Sequence, residues 1–234
     1  MTDRAHAPGR AAEGSPLPET SPPARTKPLL RGVSHEIAAF AAAPASLALV
    51  ATAKSSCAQA GAATYGASLF TLFLVSAVFH RPTWSPRARL LVARLDNSAI
   101  FLLIAGTYTP VCLLLGGGMG RALLAIAWTG AVLGIVLSMA WPLAPKPLMA
   151  TIYVLLGWVF VPASAGLRAA MGGQAVLLLV AGGMVYTAGA IVYAMRRPDP
   201  FPRVFGYHEI FHLLVIVGAV CHFVVVRGAV LKLG

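Results

Sequence analysis

The last apolar segment of this chain opens with the stretch Gly206-Tyr207-His208-Glu209-Ile210-Phe211-His212. Its two histidines are four residues apart, so on a helix both imidazoles project from one face, one turn apart. Nitrogen atoms at this spacing can reach a single metal ion. Because polar and ionisable side chains are costly inside a membrane, we interpret the pair as a functional feature and ask which other residues join it.

The composition of the chain is typical of a membrane protein. Of its 234 residues, 58% are hydrophobic and 11% are charged, whereas a soluble domain carries about 25% charged residues. A net charge of +11 would also suit a nucleic-acid partner, but the basic residues stand singly between apolar runs. That pattern is typical of loops that flank membrane spans, so we predict an integral membrane protein with no nucleic-acid partner.

Two regions are predicted. Residues 1–28 are rich in Pro, Ala, Ser and charge, which predicts a disordered tail, and residues 29–234 form one membrane domain. That domain holds seven apolar segments, each of about 20 residues, which is long enough to cross the hydrocarbon layer as a helix. The predicted spans are residues 34–52, 62–80, 95–115, 122–141, 148–167, 175–195 and 207–226. The fold class is therefore an all-α membrane protein with seven transmembrane helices.

Lysines and arginines are distributed unevenly between the two sides of these spans. Of the 18, 13 lie in the tail and in the second, fourth and sixth loops, and five lie on the other side. The side richer in positive charge is expected to face the cytoplasm. This places the N-terminus in the cytoplasm and the C-terminus outside.

This orientation, which uses no histidine, brings several polar residues to one depth. His80 ends the second predicted span, Asp96 opens the third, and His208 and His212 open the seventh, all on the cytoplasmic side. Three imidazoles and a water are a common tetrahedral zinc set that leaves one position for chemistry. We therefore predict that His80, His208 and His212 bind Zn²⁺.

Two further residues are predicted to take part in catalysis. Asp96 is expected to contact the metal-bound water and take its proton, with a role as fourth ligand less favoured. Ser76 lies one turn before His80 on the same helix face. Its hydroxyl is expected to bond a ligand, the water or a substrate carbonyl, and to help hold the oxyanion.

Other polar residues receive structural interpretations. His35 and Glu36 open the first span and are interpreted as lining the cavity mouth, a structural role being favoured over catalysis. His222 lies about 21 Å along the helix from His208, too far to share the ion. Thr107, Tyr108 and Thr109 stand beside Pro110, and their hydroxyls are predicted to satisfy backbone groups freed by a kink at that proline.

The histidine pair also fits the His-Glu-x-x-His signature of zinc proteases, in which Glu209 would be the general base. Such families take a third ligand further along the chain. After His212 there is no Asp or Glu, and His222 has the wrong spacing. An intramembrane metalloprotease therefore remains a less favoured alternative.

Five motifs together resemble the haemolysin III family, the bacterial branch of the progestin and adipoQ receptors. The resemblance covers about residues 28–228. The motifs are Leu30-Arg31-Gly32-Val33-Ser34-His35-Glu36, Ser76-Ala77-Val78-Phe79-His80, Arg94-Leu95-Asp96-Asn97-Ser98-Ala99-Ile100, Ala105-Gly106-Thr107-Tyr108-Thr109-Pro110 and Gly206-Tyr207-His208-Glu209-Ile210-Phe211-His212. Phe79 and Asn97 depart from the residues frequent there, Tyr and His, which affects the surroundings of the predicted ligands.

The resemblance implies a seven-helix, receptor-like fold in the bacterial inner membrane with zinc near the cytoplasmic face. In the related adiponectin receptors the histidines that match His80, His208 and His212 hold the ion, and the aspartate that matches Asp96 contacts its water. The superfamily includes alkaline ceramidases, which implies hydrolysis of a membrane lipid amide. The haemolysin III name implies a pore-forming cytolysin instead, and a receptor with structural zinc is the third hypothesis.

Overall fold

Helices make up most of the computed structural model, which describes residues 27–234. Within that range seven helical spans are long and apolar enough to cross a membrane, in agreement with the predicted fold class. The predicted disordered tail lies outside the described residues, apart from Lys27 and Pro28. The helices are α1 Val33–Thr52, α2 Ser56–His80, α3 Pro86–Leu115, α4 Gly117–Ala140, α5 Lys146–Gly157, α6 Ser164–Met171, α7 Gly173–Met195 and α8 Tyr207–Leu233, with a 3-10 turn at Val161–Ala163.

Helix α3 is the innermost element of the bundle. It packs against α2, α4, α5, α6 and α8, while α8 returns to contact α1 and α2 and so closes the bundle. Buried apolar side chains from these helices form the core. Large apolar side chains on the outer faces of α4 and α7, such as Leu133 and Leu177, are exposed, as expected of surfaces that contact lipid.

Two helices begin earlier than hydropathy predicts. Helix α2 begins at Ser56 because the hydroxyl of Ser55 accepts a hydrogen bond from an amide of the first turn. Helix α3 begins at Pro86 behind the equivalent cap, Ser85, with proline at the first helical position. The prediction that Asp96 opens a helix was therefore wrong, since about three turns of α3 precede it. Charged residues in those turns conceal the helix from a hydropathy scan.

The fifth span is broken into two helices, where the sequence predicts a single helix with a kink at Pro162. Helix α5 ends at Gly157, and α6 begins at Ser164 after a 3-10 turn that contains Pro162, which cannot donate a backbone hydrogen bond. The Tyr108 hydroxyl accepts from the Phe160 amide at 3.1 Å and donates to the Gly157 carbonyl at 2.9 Å. Tyr108 therefore satisfies backbone groups at this break, and the prediction that it serves the kink at Pro110 was wrong.

The entry to α1 is fixed against the end of α2 and the start of α8. The amides of Leu29 and Leu30 donate to the carbonyls of Arg203 and Val204 in the connection before α8. Gly32 adopts a left-handed backbone conformation, with φ of 83°, and a Cβ atom there would lie 2.6 Å from the Cβ of His80. Only glycine meets both constraints without strain.

We expect the bundle to have the orientation given by the charge count. Alkaline phosphatase, which is active only outside the cytoplasm, should be active when fused after Gly234 and inactive when fused after Trp84. Phosphatase activity of both fusions in whole bacterial cells is the measurement. Activity after Trp84 with none after Gly234 would show the opposite orientation.

Gly32→Ala should destabilise the fold, by roughly 1–3 kcal/mol, because it adds left-handed strain to a steric clash with His80. Gly228→Ala in α8 is the matched control. A Cβ atom there meets nothing within 4 Å, so that variant should be neutral or more stable by up to about 1 kcal/mol. Thermal unfolding in detergent measures both, and an equal effect of the two substitutions would contradict this account of Gly32.

Candidate metal centre

Three histidines from distant parts of the chain converge inside the bundle. One nitrogen from each of His80, His208 and His212 lies within 4.8 Å of the other two, and all three side chains are buried. The Nε2 atoms of His80 and His208 are 3.0 Å apart. Ligand nitrogens around a tetrahedral zinc ion are separated by about 3.3 Å, so this spacing is close to that of a metal-ligand set.

The histidines converge because the end of α2 faces the start of α8. His80 is the last residue of α2, which stops just before Pro82. His208 is the second residue of α8, and His212 follows one turn later. The start of α8 is fixed by Glu209, whose carboxylate accepts a hydrogen bond from the Gly206 amide at 2.8 Å.

The facing nitrogens of the cluster fit a metal ion. The Nε2 atoms of His80 and His208 face each other, so either one donates a hydrogen to the other or both bind a shared cation. The Nδ1 atom of His208, which is buried without a hydrogen-bond partner within residues 27–234, lies on the other side of its ring and would not contact that cation. Three imidazoles with neighbouring nitrogens also provide the donor type that zinc prefers, so the residues present fit the ion that the sequence predicts.

The carboxylate of Asp96 lies beside the cluster without touching it. Its Oδ2 atom is 3.8 Å from Nε2 of His80, a separation that suits a water molecule between the two groups better than a direct hydrogen bond. Asp96 reaches this place from about three turns into α3. The structure thus brings Asp96 to the three histidines, as the sequence predicts.

Ser76 is buried one turn before His80, but its partner is a residue that the sequence placed elsewhere. Its hydroxyl oxygen is 2.8 Å from Nδ1 of His35. The ring of His35 is stacked on that of His212, with centroids 3.8 Å apart and planes 6° apart. His35 is only 3% exposed, so its predicted location at the cavity mouth was wrong. No spacing rule would have found it, because α1 and α8 meet only in the folded chain.

The two glutamates that directly follow His35 and His208 in the sequence both form ion pairs. Glu36 is partly exposed and pairs with Arg81 at 2.7 Å, on the outside of the site. Glu209 is buried and pairs with Arg31 while it caps α8. Since the Glu209 carboxylate binds Arg31 and the Gly206 amide, it is not available as the general base that the protease signature requires.

An apolar cavity of about 140 Å³ leads away from Asp96 between α3, α5, α7 and α8. Along α3 its walls extend from Asp96 to Tyr108, which is about 18 Å of helix. His222 lines the far end, where its Nε2 atom bonds the Leu179 carbonyl at 3.2 Å. His222 is absent from the histidine cluster, in agreement with the prediction that it is too distant to share an ion.

Comparisons with known proteins agree with this architecture. The family described as "Haemolysin-III related" matches residues 24–223. The chain belongs to the haemolysin III family. It is 36% identical to "Hemolysin-3" of Bacillus cereus over 199 residues, which cover 83% of this chain and 88% of that protein. It is 34% identical to "Hemolysin-3 homolog" of Bacillus subtilis over 160 residues, or 68% and 72% of the two chains.

A shorter similarity links the family to adiponectin-receptor-like proteins. The chain is 49% identical over 57 residues to "Heptahelical transmembrane protein ADIPOR2" of Oryza sativa, which covers 22% of this chain and 25% of that protein. Together with the seven apolar spans, family membership makes this haemolysin III family protein a multi-pass protein of the bacterial cell membrane.

We expect the histidine cluster to retain one zinc ion per chain through purification. His80→Ala should reduce the bound zinc at least about tenfold, because two imidazoles remain where three are needed. His222→Ala is the matched control and should keep the metal. Elemental analysis of both proteins after identical dialysis is the measurement, and a His80→Ala protein with full zinc content would contradict the assignment.

Proposed function

We propose that this protein is a zinc-dependent hydrolase of a membrane lipid amide, of the ceramide type. The observation that supports the proposal best is the position of Asp96, which lies between the histidine cluster and the apolar cavity. One carboxylate thus borders both a candidate metal site and a space shaped for an acyl chain. The positive-inside charge count supports a location near the cytoplasmic face.

A zinc ion held by His80, His208 and His212 would polarise a carbonyl oxygen and activate water for attack near neutral pH. The residues of the chain supply the remaining functions. The cavity would hold the acyl chain and exclude bulk water, which places the amide carbonyl beside Asp96. Ser76 would bond the attacking water.

The reaction adds water across the amide C–N bond. The water oxygen bonds to the acyl carbon, and the nitrogen leaves as an amine. Asp96 would accept a proton from the water and return it to the departing nitrogen, so that a fatty acid and an amine result. This cycle needs no reactant besides water and the lipid.

Asp96→Asn should lower the turnover of a lipid amide by at least about 100-fold while the zinc content stays unchanged, because the amide side chain cannot take a proton. Glu36→Gln is the matched control, since that carboxylate lies outside the site. Fatty-acid release from ceramide in mixed micelles, measured by mass spectrometry, tests both. Full turnover by Asp96→Asn, or by a His208→Ala and His212→Ala double variant, would contradict the proposal.

The alternative is a protein without enzymatic activity. The name of its Bacillus cereus relative, "Hemolysin-3", favours a cytolysin, and the same histidines would then hold a structural zinc that joins α2 to α8. Leakage of dye from lipid vesicles that persists in the His80→Ala protein would favour the pore. Retention of every function by Asp96→Asn with zinc bound would favour structural zinc.

A further inference from the structure

His35 forms a hydrogen-bonded pair with Ser76 next to the candidate ligands, and His35 itself has no part in the chemistry proposed above. Nδ1 of His35 is 2.8 Å from the Ser76 hydroxyl oxygen, and Nε2 of His35 is 3.3 Å from the backbone carbonyl oxygen of His212. Both side chains are 3% exposed. The pair therefore joins the start of α1 to α2 and α8 within the protein interior.

The two partners of His35 fix which nitrogen carries the proton. A backbone carbonyl can only accept a hydrogen bond, so the nitrogen that faces it, Nε2, must carry the hydrogen. In the neutral ring Nδ1 is then an acceptor, and its partner must donate. The Ser76 hydroxyl is that partner at 2.8 Å, so its hydrogen points towards His35 and not towards the neighbouring Asp96 carboxylate.

This direction limits what Ser76 can do at the site. A hydroxyl has one hydrogen to donate and two lone pairs with which to accept. With its hydrogen bound to His35, Ser76 can accept a hydrogen bond but has none to donate to a negatively charged oxygen. Of the roles predicted from the sequence, the geometry thus favours contact with water over a contribution to an oxyanion hole.

We propose that His35 is a positioning residue that holds Ser76 as a hydrogen-bond acceptor for the attacking water, and that it holds the His212 ring by stacking. The part that concerns water rests on the proposed hydrolase function. The part that concerns the His35 proton and the His212 ring rests on geometry alone. Phe73 contacts the edge of His35, with ring centroids 5.1 Å apart, which keeps the imidazole in this orientation.

The first experiment reads the hydrogen bond directly and requires no activity. In the full-length protein with ¹⁵N-labelled histidine, NMR should show His35 as the neutral tautomer with its proton on Nε2, the signal being assigned by its loss in His35→Asn. Ser76→Ala should shift the Nδ1 resonance towards that of an unbonded nitrogen and leave the proton on Nε2. A proton on Nδ1 in the unmodified protein, or no response to Ser76→Ala, would overturn the proposal whether or not the protein is an enzyme.

The second experiment separates positioning from packing with two variants of His35. The Asn side chain can place an acceptor where Nδ1 lies, whereas the Gln side chain can place a donor where Nε2 lies. His35→Asn should keep kcat within about fivefold, and His35→Gln should lower kcat by about 10- to 100-fold with little change in KM. Thermal unfolding of both variants serves as the folding control, and kcat is compared per bound zinc because loss of the ring stacked on His212 affects the metal content of both.

Equal losses in the two variants, or full kcat in His35→Gln, would reduce His35 to a packing residue and overturn the proposal. If the unmodified protein releases no fatty acid from ceramide while the NMR result is as expected, the hydrolase function fails and the hydrogen bond between Ser76 and His35 stands. The two failures are therefore distinguishable.

Discussion

Imidazole nitrogens buried within a lipid-enclosed bundle need partners, and this need governs the whole arrangement. The Nε2 atoms of His80 and His208 face each other at 3.0 Å in the protein interior, where a polar atom without a partner is costly. Without a cation, one of the two nitrogens must carry a hydrogen and donate it to the other. The proposed zinc ion would instead bind the facing nitrogens of His80, His208 and His212 together.

The helices that carry the candidate ligands are held together by contacts that do not involve the three histidine side chains. Arg31, just before α1, pairs with Glu209 in the first turn of α8, so a partly buried ion pair joins the starts of the two helices. The backbone bonds of Leu29 and Leu30 to the connection before α8 fix the same junction. Gly32 lets the chain pass beside His80. The contacts that hold the two helix ends beside each other therefore come from residues 29–32, the segment before α1, which carries none of the three candidate ligands.

Much of the fold follows from the sequence because the hydropathy of a segment indicates whether it lies in lipid or in water. The seven spans and the approach of His80, Asp96, His208 and His212 were predictable from run lengths and from the distribution of positive charge. The extended start of α3 was not, because the early turns before Asp96 carry arginines that hydropathy scores as loop. The interruption of the fifth span was also missed, since Pro162 signals a kink but not the Tyr108 hydroxyl that makes a full break stable.

The roles of His35 and Glu209 illustrate the other limit of the sequence. Both residues belong to recognisable motifs, but what each does is decided by partners on another helix, Ser76 for the first and Arg31 for the second. A motif gives the type of side chain and its position on a helix face. It does not give the hydrogen bonds of that side chain, which depend on how distant helices pack. Here the bonds of Glu209 to Arg31 and to the Gly206 amide argue against a protease.

X-ray absorption at the zinc edge of the purified, full-length protein tests the central claim most directly. The account predicts a first shell of nitrogen and oxygen at about 2.0–2.1 Å, with the multiple-scattering pattern of three imidazoles. Absence of zinc from protein purified without chelators, or a shell dominated by sulfur at about 2.3 Å, would contradict it.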